Sequence, residues 1–213
     1  MSIFDPINDN NPVVLTVPGL YGSGPGHWQT RWEVTRPNTF RIELGMWHSP
    51  HRNTWVSRLE QSILEARGRV ILAAHSLGCI AVAWWSIMGS RPALDKVAGA
   101  LMVAPADVER AGRFRDFTPI PRKPLPFRSI LVTSRNDPWM DFADSALLGL
   151  HWDSILIDAG HAGHINADSG LGSWPEGQSL LNRLIAAEMA ELPRRPSAPD
   201  RSRDPEGFGL GTS

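Results

Sequence analysis

Short β-branched runs alternate along this chain with longer segments that read as helices. Val13 to Val17 is an apolar run stopped by Pro18-Gly19, and Val70 to Ala74 is continuously apolar, as a strand covered on both faces should be. Phe40 to Leu44, Val97 to Val103, Ser129 to Thr133 and Ser154 to Ile157 complete the strand set. Trp55 to Arg67, Leu77 to Gly89, Asp141 to Leu150 and Gly177 to Leu192 read as the helices between and after them. Strands interleaved with helices of this length predict an α/β architecture, a mostly parallel sheet with helices on both faces.

Two stretches break the alternation. Residues 104–127 hold five prolines and several arginines, a long excursion between two strands that is too proline-rich for a full helix. Such a loop in a compact domain is usually functional or mobile, and it is expected to form a small cap over a site. From about Pro193 the chain is poor in apolar residues, which predicts a disordered tail over 193–213 behind one folded domain at 1–192.

Composition narrows the function. A chain of 213 residues suits one domain with a buried core, and a formal net charge of -1 gives no reason to expect nucleic acid or an anionic membrane as partner. One cysteine excludes an internal disulfide framework or a Cys-based zinc cluster and suits a reducing compartment. The first residues lack the segments of a secretory signal, and no apolar run approaches the roughly 18 residues needed to span a bilayer. A cytoplasmic location is the expectation. Nothing in the sequence sets an oligomeric state. There are nine Trp against one Tyr, and Trp28, Trp32, Trp139 and Trp174 lie near the loops that matter below, either as pocket walls or as packing.

The first chemical signal is Ala74-His75-Ser76-Leu77-Gly78, between an apolar strand and a helix. A nucleophile elbow needs this context: the serine sits on a sharp, strained turn, its neighbours two before and two after must be small, and the following helix offers its positive end to an oxyanion. Ala74 stands where the usual pattern has its first Gly. The competing use of Ser76 is a helix N-cap. A second signal is the Gly-rich turn Gly19-Leu20-Tyr21-Gly22-Ser23-Gly24, where backbone N–H groups can approach a reacting oxygen. The oxyanion donors expected in such a site are the N–H of Leu77, after the nucleophile, and that of Leu20. A phosphate loop would need a Lys or a third Gly in register, and neither is present.

A serine needs a histidine to take its proton and a carboxylate to orient that histidine. In the order Ser, acid, His, Asp137 follows the strand 129–133 in Ser134-Arg135-Asn136-Asp137-Pro138, where it could equally be a turn residue. His161 and His164 both follow the last strand, and spacing does not choose between them. His75 would point the wrong way from the elbow, and His27, His48, His51 and His151 read as surface or packing residues. Metal ligation by His161 and His164 has no carboxylate or Cys at standard spacing, so no metal and no cofactor is expected. Cys79 reads as a small buried hydrophobe.

Taken together, Pro18-Gly19, Gly26-His27-Trp28-Gln29 with Trp32, His75-Ser76-Leu77-Gly78, Ser134-Arg135-Asn136-Asp137-Pro138 and Gly163-His164-Ile165-Asn166 with Trp174-Pro175-Glu176-Gly177 resemble the small serine hydrolases of the retinoblastoma-binding-protein-9 and YdeN type, over about residues 12 to 190. The resemblance implies an α/β-hydrolase fold with minimal or no lid, nucleophile Ser76, acid Asp137 and base His164. It also implies esterase- or peptidase-like action on a small-molecule ester or amide. Retinoblastoma binding in that family depends on Leu-x-Cys-x-Glu; here Leu77-Gly78-Cys79-Ile80-Ala81 ends in Ala, so that function is not carried over. Tyr21, Trp28 and Trp139 are the expected substrate-pocket residues. The alternative from another class is a non-catalytic interaction protein on the same scaffold.

Overall fold

The computed structural model describes residues 11–191. In chain order it contains β1 (Val13–Val17), α1 (Trp28–Thr35), β2 (Thr39–Arg41), α2 (Arg52–Glu65), β3 (Val70–His75), α3 (Leu77–Met88), α4 (Arg91–Lys96), β4 (Val97–Val103), β5 (Arg128–Thr133), α5 (Phe142–His151), β6 (Ile155–Asp158) and α6 (Pro175–Glu191). The strands form one sheet in the order β2-β1-β3-β4-β5-β6, every neighbouring pair parallel.

The pleat divides the core in two. Val13, Leu15 and Val17 join Leu72, Ala74, Met102 and Leu131 beneath α2, α3 and α5. Val14 joins Ile71, Ala73, Leu101 and Val132 on the other face, beneath Trp28 and Trp32 of α1 and Leu181 and Leu184 of α6. Burying such side chains on both faces, at about 1.5–3 kcal/mol each, is why β3 reads as an uninterrupted apolar run. The sheet grows in opposite directions from β1, with β2 on one side and β3 on the other. The helices that follow β1 and β3 therefore cover opposite faces, and the carboxyl ends of these two strands form the topological switch point of the sheet, the place where ligands bind in open α/β folds.

Several elements differ from expectation. The strand expected over Phe40 to Leu44 closes at Arg41: the Ile42 N–H still donates to the Thr16 carbonyl at 3.0 Å, but Leu44 then folds back on Ile42 at the sheet edge. Ile42 and Leu44 keep their burial by dropping into the core. Helices α1 and α4 were not anticipated. The second half of the excursion at 104–127 is fastened to the core. Phe117, Ile120 and Leu125 are core residues, and the ring N–H groups of Trp84 and Trp152 donate to the carbonyls of Phe117 and Pro121, each at 2.8 Å. The tail expected at 193–213 lies outside the described residues. Among the described residues, no helix is long and apolar enough to cross a membrane.

Candidate active site

Ser76 stands between β3 and α3 with φ 56° and ψ -124°, a left-handed conformation that is strained for a residue with a side chain. Two glycines permit it. A Cβ on Gly78 would lie 2.3 Å from the Val17 carbonyl oxygen, and one on Gly19 would lie 2.8 Å from the Ser76 Cβ. The loop after β1 is thus pressed against the elbow, which neither position allows with a side chain. Ser76 occupies the N-cap position of α3 but makes no capping bond with its side chain. Its hydroxyl faces elsewhere.

It faces His164. The Ser76 Oγ lies 2.9 Å from His164 Nε2, and His164 Nδ1 lies 2.9 and 3.0 Å from the two oxygens of Asp137. A carboxylate only accepts, so Nδ1 carries the proton and Nε2 accepts from the serine hydroxyl. His164 and Asp137 are withdrawn from solvent, their side chains 10% and 4% exposed. Asp137 also accepts the Trp139 N–H at 2.9 Å, so the turn role and the contact to His164 coexist. His161 is exposed and makes no contact with Ser76.

The loops carrying these groups are tied together. Asn136 Oδ1 accepts the Gly163 N–H at 2.8 Å, Ser134 Oγ accepts the Ala162 N–H at 3.0 Å, and the Arg135 N–H donates to the Gly160 carbonyl at 2.7 Å. This accounts for the Ser134-Arg135-Asn136 stretch: it clamps the histidine loop to the acid loop. On the other side, the Gln29 amide donates to the Val17 and Ala73 carbonyls and accepts from the Ser23 hydroxyl, which bridges the ends of β1 and β3 with no polar atom left over.

Two further groups hold the backbone at His164 and Ile165, roles that the sequence did not reveal. The Trp28 ring N–H donates to the Ile165 carbonyl at 2.9 Å. His75 Nε2–H donates to the His164 carbonyl at 2.9 Å, with the two rings 4.8 Å apart. His75 was expected to point the wrong way from the elbow; its ring instead bears on the histidine loop and borders the same cleft as Ser76. The His27 ring packs edge-on against His75 at 4.6 Å. Burial, reinforced by neighbouring imidazoles, holds His75 well below the usual histidine range and lowers His27 to about 3, so both are neutral donors or acceptors near neutrality. The only sequence sign of this pair was proximity to the motifs, which spacing could not turn into contacts. Burial also pushes the Cys79 thiol up, as suits an inert core residue.

The N–H groups of Leu20 and Leu77 head a 3₁₀ turn (Leu20–Gly22) and α3, so neither has an acceptor within its own helix. The next N–H groups in the first loop are committed, Tyr21 to the Trp47 carbonyl and Gly22 to that of Gly19. Leu20 and Leu77 both border a cleft of about 310 Å³ that also contains Ser76 and His164. Tyr21 and Trp139 stand at its rim, 60% and 54% exposed, and Val108, Ala111 and Phe114 from the first half of the excursion form a wall. Trp28, expected in that wall, is a correction. It is 1% exposed and packed between Trp32 and Trp174, because its place in α1 turns the indole toward the sheet. Two shallower grooves, beside α2 and at the opposite end of the sheet, contain none of these groups. Among the described residues, no three His, Cys, Asp or Glu side chains converge as a metal site would require.

Comparison with known proteins adds the following. A family model described as serine hydrolase matches residues 14–183. A YdeN-like hydrolase of Pectobacterium atrosepticum is 32% identical, with 84% of this chain and 92% of that one covered and a TM-score of 0.75. The ydeN gene product of Bacillus subtilis is 16% identical over 82% of this chain and 99% of that one, with a TM-score of 0.66. Esterase 2 of Thermogutta terrifontis is 11% identical over 87% and 88%, with a TM-score of 0.61, and at that identity shares the fold alone. No curated protein matches. The α/β-hydrolase fold expected from the motifs is the one observed.

Proposed function

The chain belongs to the serine hydrolase family, and we propose that it cleaves a small carboxylic ester or amide by acyl transfer through Ser76. His164 takes the hydroxyl proton as Oγ attacks the carbonyl carbon, and returns it to the departing alcohol or amine. Asp137 holds the imidazole in the required tautomer and offsets its positive charge. The oxyanion is received by the Leu20 and Leu77 N–H groups, beside the positive end of α3. Water then enters, His164 removes its proton, and the acid leaves as Ser76 is restored.

The observation that carries this reading is the buried hydrogen-bonded line from Asp137 through His164 to Ser76, 2.9 Å at each step, drawn from three loops at one end of the sheet. The strained backbone of Ser76 is a second support, because a residue kept in that conformation without a capping bond has its hydroxyl free for another use. Tyr21 and Trp139 fit a rim that contacts the substrate. The test is 4-nitrophenyl acetate hydrolysis with fluorophosphonate labelling and peptide mapping. Label on the Ser76 peptide, and loss of both label and turnover in a folded Ser76→Ala variant, are expected. A folded Ser76→Ala protein that retains full turnover would remove the proposal.

A further inference from the structure

The lining of the cleft holds two charged side chains of very different standing. Asp107 is spoken for: its Oδ1 accepts the Glu109 and Arg110 N–H groups at 3.0 and 2.9 Å, and the Arg110 guanidinium lies 3.9 Å from its Oδ2. Arg110 reaches on to Asp141 and Asp144, and Arg122 pairs with Glu109. Arg113 stands apart. Its guanidinium rests over the ring of Phe114, 5.1 Å from the centroid, which keeps it at the cleft wall. Among the described residues, no carboxylate lies within ion-pairing distance of it. The cleft's remaining ionisable groups include His27 and His75, which stay neutral near pH 7. Arg113 is therefore the one cation of the cleft lining without an ion-pair partner, a planar fork of donors suited to two oxygens of one anion.

Resting on the hydrolase reading above, we propose that the substrate is a small ester or amide bearing a carboxylate, which Arg113 receives while the scissile carbonyl lies at Ser76. The apolar surfaces of Val108, Ala111 and Phe114 take the carbon skeleton between the two polar ends. A contact at this distance from the reacting atoms acts through binding and orientation of the substrate. Arg113 is exposed to water, so its effect weakens with salt.

Two substrate pairs test this, matched in size and differing in charge: mono-4-nitrophenyl glutarate against 4-nitrophenyl valerate, and 4-acetoxybenzoate against 4-methylphenyl acetate. The quantity read is the kcat/KM ratio of charged to neutral partner. In at least one pair the ratio falls about tenfold in Arg113→Gln and further in Arg113→Glu, and the wild-type ratio falls in about 0.5 M NaCl. The pair that responds identifies whether the acid or the alcohol portion carries the anion. Ratios that are the same in wild type and both variants, in both pairs, overturn the assignment. Fluorophosphonate labelling of the wild-type protein separates the two levels. Label on Ser76 with unmoved ratios sinks the Arg113 proposal alone, whereas no label and no turnover sinks the serine reading beneath it.

Discussion

The substitution His75→Phe keeps an aromatic ring, somewhat larger, but deletes the N–H that holds the His164 carbonyl. That carbonyl and the ring beneath it are buried. An unsatisfied buried acceptor costs about 1–3 kcal/mol. In a chain of this size that is a fall in Tm of roughly 2–4 °C per kcal/mol. The effect depends on pH with a definite sign. His75 in the folded protein sits well below the ordinary value of 6.5, so the unfolded chain binds a proton that the native protein refuses. Native stability is therefore lost as pH falls below about 6.5, by about 1.4 kcal/mol per unit, and the His75→Phe variant carries no such penalty. As the pH falls the wild type therefore gives up stability that the variant keeps, and the gap between the two proteins narrows. Urea unfolding at pH 7.5 and pH 5 measures it, and kcat for 4-nitrophenyl acetate at pH 7.5 reports the positioning of His164. A drop in kcat of about tenfold or more is expected, since small misplacements of a catalytic group are costly. A stability gap that does not shrink on acidification, or an unchanged kcat, would refute the account of His75.

Two other changes follow from the same geometry. Ser76→Gly relieves the positive φ and removes the hydroxyl, so it should be inactive yet more stable by roughly 1 kcal/mol; a lower Tm than wild type would contradict the strain assigned to the elbow. Trp152→Phe releases the Pro121 carbonyl, and tryptic cleavage after Arg122 should quicken; an unchanged digestion rate would mean the excursion is held by other contacts.

What the sequence allowed and what it withheld divide on physical lines. Ser76, Asp137 and the two candidate histidines were legible because the chemistry demands those residue types just past strand ends, and strand ends are marked by the switch from apolar runs to Gly and polar residues. The choice of His164 over His161 was not in the spacing and came only from resemblance, because a Gly-rich loop leaves the direction of each imidazole to tertiary contacts. Helix α1 was missed because Trp28 and Trp32 are its only buried apolar positions and its residues are middling helix formers; packing against Trp174 and a cap from the His27 side chain fix it instead. The same omission sent Trp28 to the wrong place, since its direction depends on the helix that carries it.

The tryptophans point to a way of keeping irregular chain in order without crosslinks. Six of the nine indoles donate a hydrogen bond, and five of those reach main-chain oxygens in segments that lack strand or α-helix of their own: Gly45, Phe117, Pro121, Ile165 and Ser173. Four are stiff levers rooted in α1, α2 and α3 and the fifth, Trp152, caps α5, each with its one donor at the tip. Thiol chemistry has no part in this fastening, and the lone sulfhydryl, Cys79, is sealed in the core. The shape of the cleft should accordingly be the same under reducing and oxidising conditions.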